Sequence, residues 1–169
     1  MPRPSDTDLL LDVMLGKLAT YLRMCGYDAA YALDRGVEDD ATLRSIARRE
    51  GRTLLTRDVD LATNAPEGIL LESRSVREQL FELSQRGYVL SLDVPTRCAR
   101  CNGRLRRLRP GASTPSFAPD LDERPVWRCR DCGQPFWRGS HWDDVEETLR
   151  RIRRTVEDGR STSFDGSEP

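Results

Sequence analysis

Four of the five cysteines stand in two Cys-x-x-Cys pairs, Cys98–Cys101 and Cys129–Cys132. Two residues between cysteines let both thiolates turn toward one ion from a tight knuckle, and two knuckles close a tetrahedral shell. This constrains the chain more than any other feature, because everything from Arg97 to Cys132 must fold back around a single point. Four thiolates leave no open coordination position, so the expected ion is a structural zinc, the alternative being four unrelated buried thiols. The left-handed backbone that knuckles require is expected at Asn102-Gly103 and Gly133. The interval between the pairs is wider than paired knuckles usually have, and the proline-bearing stretch 110–125 (PGASTPSFAPDLDERP) accounts for the excess as an extended loop. The fifth cysteine, Cys25, falls on the apolar face of a helical pattern and reads as a core residue rather than a reactive thiol.

Metal rather than disulfide is the reading because nothing directs the chain out of a reducing compartment. No run approaches the roughly 18 apolar residues of a membrane helix, since Asp12 interrupts Leu9–Leu15. The start, Met1-Pro-Arg-Pro-Ser-Asp6, lacks the pattern of a signal peptide. A cytoplasmic location with no membrane partner is therefore expected.

The net charge of −1 hides a division. Residues 1–93 carry 12 basic and 16 acidic side chains, residues 94–154 carry 14 and 8, and the tail 155–169 carries 1 and 4. Opposite charge in consecutive blocks suggests two modules with different tasks. In the first block, residues 9–93, short apolar runs of strand length (Leu9–Met14, Asp28–Leu33, Thr53–Asp58 and Ile69–Leu71) alternate with helical patterns. Leu18, Leu22 and Cys25 mark the first helix, Leu43, Ile46 and Ala47 the second, and Val76, Leu80 and Leu83 the third, with glycines at 26, 51 and 87 as stops. Such alternation with short connections implies an α/β fold, a parallel sheet with helices on both faces. Residues 94–142 form the cysteine module, and an arginine-rich helix is expected over 143–156. The first eight residues and the tail from Asp158 read as frayed or disordered.

Four acidic residues fall where a parallel sheet presents its carboxyl edge, the usual ligand side of such folds. Asp12 follows the first strand, Asp58 and Asp60 lie just past the third, and Asp40 begins the second helix, with Asp39 beside it as the competing candidate. Asp12 interrupts an apolar run, and an unpaired buried carboxylate is costly. Its neutralising partner is Lys17 (the only lysine), an arginine or a divalent cation. Clustered carboxylates with water suit Mg²⁺ or Mn²⁺, which can activate water and stabilise the leaving oxygen of a phosphodiester. Taken singly, Asp40 also reads as a helix cap and Asp58 and Asp60 as turn formers. The single histidine, His141, excludes any mechanism that needs two.

The segments LLLDVMLGKLATYLRMCGYDAAYA, DDATLRSIARREGRTLLTRD, RCARCNGRL and WRCRDCGQPFWRGSHWDDV, in that order over about Leu9–Leu149, resemble the Mut-seven C-terminal RNase domain family. The resemblance implies a PIN-like three-layer α/β/α nuclease domain followed by a small zinc ribbon. It also implies RNA as substrate and a catalytic Mg²⁺ or Mn²⁺ held by Asp12, Asp40 and Asp58, with Asp60 matching a further acidic place. Gly16, Lys17 and Arg23 match the family's first-helix signature, so Lys17 and Arg23 become substrate-binding candidates, with a structural ion pair as the alternative for Lys17.

In the ribbon, Arg104, Arg106 and Arg107 lead a series of arginines suited to phosphate, near Trp127, Phe136, Trp137 and Trp142, which offer stacking faces to unpaired bases or pack around the knuckles. His141 reads as a packing or hydrogen-bonding residue rather than a zinc ligand. The expected function is thus a metal-dependent ribonuclease with a zinc ribbon for RNA binding. The competing readings are a non-catalytic RNA-binding or scaffold module and a DNA-processing enzyme.

Overall fold

The computed structural model describes residues 1–162, with side chains through Arg160; the expected disorder of 163–169 lies outside the described residues. Strands β1 (Asp8–Leu11), β2 (Asp28–Tyr31), β3 (Thr53–Thr56) and β4 (Gly68–Leu70) form a parallel sheet in the order β2-β1-β3-β4. Leu9, Leu10 and Leu11 of β1 lie opposite Ala29, Ala30 and Tyr31 on one side and Thr53, Leu54 and Leu55 on the other. The apolar run needs no polar alternation because helices cover both faces. Leu9, Leu11 and Leu55 face the first core, with helices α1 (Gly16–Met24), α4 (Val76–Gln85) and α5 (Ser140–Thr162). Leu10, Leu54 and Ala30 face the second, with α2 (Asp40–Glu50) and the short α3 (Val59–Asn64).

The first three apolar runs are shorter as strands than the sequence suggests, and in two of them the reason is local. The first stops at Leu11 because the Asp12 carboxylate turns back to accept the Val13 N–H at 2.7 Å, starting a 3-10 turn over Val13–Leu15. The third stops at Thr56, and Asp58 then caps α3, a helix too short to show periodicity. The fourth starts one residue early, at Gly68.

The ribbon is an antiparallel sheet of β5 (Leu105–Arg107), β6 (Val126–Cys129) and β7 (Pro135–Trp137), in that order, with residues 110–125 as the extended loop between the first two. The last helix differs most from expectation. It spans 23 residues, from Ser140 rather than Asp143 to Thr162 rather than Val156, and takes in residues 158–162 expected to be disordered. Val145, Leu149 and Ile152 enter the core beside Leu80 and Leu83, and Arg153 donates to the Leu90 carbonyl at 2.6 Å. The helix is thus a layer of the α/β domain, and the ribbon is set between α4 and α5. Among the described residues no helix is long and apolar enough to cross a membrane.

Candidate active site and metal centre

The four cysteine sulfurs lie within 4.8 Å of one another. Cys98 and Cys132 approach to 3.7 Å, and Cys101 and Cys129 to 3.5 Å. A tetrahedral ion with Zn–S bonds of about 2.3 Å sets neighbouring sulfurs roughly 3.8 Å apart, so the cluster fits one zinc. Backbone N–H groups of Asp131 and Cys132 point at the Cys129 sulfur from 3.4 and 3.5 Å. Burial raises the Cys129 thiol, but these donors, with the Cys101 and Cys132 side chains, outweigh it and lower its pKa, whereas burial pushes the Cys98 and Cys101 thiols up. In the first knuckle the left-handed residue is Asn102 (φ 70°), not Gly103; in the second it is Gly133 (φ 76°). Gly103 is required for space, since a Cβ there would stand 2.7 Å from the Cys129 sulfur. His141 is exposed and outside the cluster.

The first knuckle also closes an edge of the main sheet. β2 is an outer strand, and its Ala29 N–H donates to Asn102 Oδ1 at 2.9 Å while its carbonyl accepts from Arg23 Nε at 2.9 Å. Arg23 is 3% exposed and also donates to the carbonyls of Ala99 and Arg100 and to Asp34. The guanidinium of Arg23, a substrate-binding candidate by resemblance, is thus turned inward, joining α1, β2 and the ribbon. Asp28, at the start of β2, accepts from Asn102 and Arg52, each at 2.8 Å, and pairs with Arg97 at 3.2 Å. Burial alone would raise its carboxyl; the hydrogen bonds from Arg52 and Asn102 and the charges of Arg52 and Arg97 outweigh that and hold it below the usual range. Cys25 is buried in the core, which pushes its thiol up to about 12 and leaves it inert.

The other edge carries the acids. β1 and β3 are the neighbours at which strand order reverses, and ligands of open α/β sheets bind outside the carboxyl ends at such a point. There Asp12, 4% exposed, accepts from the Thr56 hydroxyl at 2.7 Å, and Thr56 Oγ1 accepts from the Asp58 N–H at 3.0 Å. Asp58 is exposed, and its Oδ1 accepts the Leu61 N–H at 2.8 Å as the cap of α3. Asp60 is exposed in the next turn.

At the start of α2 the two neighbouring acids divide. Asp39 caps the helix through Thr42, whose side-chain and backbone hydrogen bonds hold its carboxyl below the usual range, while Asp40 follows in the first turn, exposed. No hydrogen bond ties Asp40 to the Asp12–Thr56–Asp58 chain among the described residues. Nor do the acids close into a compact group, for the cysteines alone among the described residues gather three or more such ligands.

Among the described residues neither Lys17 nor any arginine forms an ion pair with Asp12. Lys17 is exposed and shares with Arg74 the lining of a pocket of about 430 Å³ that also takes in Val13 and Tyr31. Thr56 and Arg74 escaped sequence reasoning. Thr56 looks like any strand threonine until its hydroxyl is seen between two acids, and Arg74 sits in a loop with no pattern. Arg104, Arg106 and Arg107 are all exposed on the ribbon. No curated protein and no solved structure matches the chain. The Mut7-C RNAse domain matches it over residues 7–149, from the strand that presents Asp12 to the helix that closes the core, and the chain belongs to that family.

Proposed function

We propose that the chain is a metal-dependent ribonuclease of PIN-like design, working in the cytoplasm, with Asp12, Asp58 and Asp40 holding Mg²⁺ or Mn²⁺ and Asp60 beside them. The observation that carries this reading is the Asp12 carboxylate: buried, hydrogen-bonded only by Val13 and Thr56, and without a cationic side chain among the described residues. A carboxylate offers about four lone-pair sites, so the two hydrogen bonds orient it without filling it. A divalent ion bound there would activate a water and stabilise the leaving oxygen of a phosphodiester. Thr56 fixes Asp12 and the Asp58 backbone in one chain of hydrogen bonds. Lys17 and Arg74, exposed on the neighbouring pocket, supply positive charge for a flanking phosphate.

The ribbon contributes the grip on RNA. Arg106 of β5 stands directly opposite Arg128 of β6, a like-charge pair that destabilises a sheet in isolation and that a phosphate would relieve. Arg104, two residues before Arg106, extends that face, and Arg107 adds charge on the opposite one.

A second reading has its own support: Asp12, Asp39 and Asp58 all cap helices, which explains them without catalysis. Single-turnover cleavage of single-stranded and structured RNA, with Mg²⁺, Mn²⁺ or chelator and matched DNA alongside, separates the two. Loss of outer-shell partners costs metal sites about 10–100-fold, so Asp12→Asn should lower the rate by more than about 100-fold with RNA affinity retained. A wild-type protein inert with both ions would establish the non-catalytic reading, and an Asp12→Asn variant that cleaves normally would refute the metal site built on Asp12.

A further inference from the structure

All three tryptophans of the chain lie in or beside one place. A pocket of about 280 Å³ opens between the end of α1, the first zinc knuckle, β7 and the start of α5. Its walls include Met24, Phe136, Trp137 and Trp142, with the three aromatics only half-buried, and Gln134 and His141 add polar groups. Arg138 stands 5.7 Å over the Trp142 ring and equally over Trp127. Gly139 keeps the chain close to Trp137, since a Cβ there would meet the indole Nε1 at 2.9 Å. The pocket touches neither the acids nor the zinc ligands.

We propose that this pocket is an anchoring subsite for one unpaired nucleobase of the RNA, held apart from the point of cleavage. The inference rests on the ribonuclease reading only in taking RNA as the ligand. Aromatic faces that are neither fully packed nor fully exposed suit a planar ring, and every base has a stacking face. The Gln134 amide offers a donor to a base edge, and its Oε1, which accepts from Arg100 at 3.4 Å, keeps a second lone pair as acceptor. The module around the pocket carries 14 basic against 8 acidic residues over 94–154, so the approaching chain is a polyanion rather than an apolar peptide. Arg97, though on the wall, is already paired with Asp28, which leaves Arg138 as the cation beside the rings.

The placement adds a length requirement. Met24 is the last residue of α1, while Gly16, its first, follows the turn that Asp12 caps. Nine helical residues span about 13 Å, roughly four nucleotides stacked at about 3.4 Å each. The anchored base thus lies several nucleotides from the scissile phosphate, and cleavage falls at a fixed distance from it.

The test uses the full-length, zinc-loaded protein and its own tryptophan fluorescence. Adenosine 5′-monophosphate should quench the signal, whereas ribose 5-phosphate, the same phosphate without a base, should not. Anisotropy of a labelled short oligoadenylate should report affinity about 5- to 150-fold weaker in Trp137→Ala, the range that one stacked base supplies. Ser140→Phe, which crowds the mouth and leaves the aromatic walls in place, should weaken binding likewise, with unchanged zinc content and circular dichroism showing that both variants fold. Equal quenching by the two phosphates, no quenching by either, or normal oligonucleotide affinity in Ser140→Phe would overturn the proposal. Base binding in a protein that cleaves nothing would sink the ribonuclease reading and leave this one standing; metal-dependent cleavage with the first results absent would do the reverse.

Discussion

Replacing Arg23 with Ala decides whether the buried joint between α1, β2 and the ribbon is structural. The side chain is 3% exposed and makes four hydrogen bonds: one to the buried Ala29 carbonyl, two to the knuckle carbonyls of Ala99 and Arg100, and one to Asp34. Removing it strands the Ala29 carbonyl, at about 1–3 kcal/mol for a buried acceptor left unpaired. The two knuckle carbonyls lie nearer solvent and add less, and Asp34, 45% exposed, adds little after screening. Allowing for the void left by a long buried side chain, the loss comes to about 3–5 kcal/mol, as for other broken buried charge networks. With a urea slope of about 2 kcal/mol/M, the unfolding midpoint should fall by roughly 2 M. Arg23→Lys should recover only a minor part, because an ammonium lacks the planar fork that reaches α1, β2 and the knuckle together. Urea titration followed by circular dichroism, beside RNA binding, is the assay. A midpoint within about 0.5 M of wild type combined with lost RNA affinity would restore Arg23 to the substrate and refute the joint.

Two further predictions concern the same joint. Chelation of zinc, or Cys129→Ser, should expose residues 94–139 to proteolysis, since metal ligation supplies on the order of 10 kcal/mol in comparable small sites. Because the Ala29 N–H rests on Asn102, its hydrogen exchange should accelerate at the same time, and a ribbon that stays protected without metal would contradict this. Acid should weaken the fold through Asp28 and Glu50, whose folded-state values lie below the ordinary 3.8 and 4.5, Glu50 at about 2, chiefly through its hydrogen bond from Arg35. A depressed carboxyl stabilises fully above its unfolded value, so their contribution is complete above about pH 4.5 and disappears as pH falls toward 2. Thermal unfolding across that window should show the loss, and Asp28→Asn should flatten it.

The sheet and the cysteine cluster were legible because each rests on a short-range rule. Leu9–Leu11 is an uninterrupted apolar run, Thr53–Leu55 is a β-branched residue followed by two leucines, and two Cys-x-x-Cys pairs point at one ion whatever lies between them. What could not be read depends on contacts distant in sequence. Asp12 stands out within an apolar run, but nothing local says that Thr56 is its partner, 44 residues on. Arg23 matched a family signature without revealing that its donors turn toward Ala99 and Arg100, more than 70 residues away. The helix from Ser140 is strongly charged, and only the core formed by Leu80 and Leu83 explains why Val145, Leu149 and Ile152 draw it back across the sheet. Which residue of Asn102-Gly103 is left-handed was not legible for a different reason. Both residues permit the turn, but the Cys129 sulfur occupies the space where a second side chain would go.

The position of the ribbon follows from the needs of a four-stranded sheet. An outer strand such as β2 exposes unpaired backbone groups that invite pairing with another chain, and proteins cover or blunt such edges. Here the cover is the first zinc knuckle, fastened through Asn102, Arg23 and the Asp28 pairs. These contacts gather around the first two residues of β2, the amino end of a parallel strand, and leave the carboxyl ends of β1 and β3 open. Had the ribbon covered the other end of the sheet, it would have masked Asp12 and Asp58. The module thus closes the vulnerable strand edge and adds a positive surface to an acidic domain while leaving the carboxyl ends of β1 and β3 open. A metal held by its four cysteines would then be a condition for more than the ribbon. When the knuckle opens, Asn102 leaves Ala29, Arg97 leaves Asp28, and β2 becomes a bare edge beside β1, the strand that ends at Asp12.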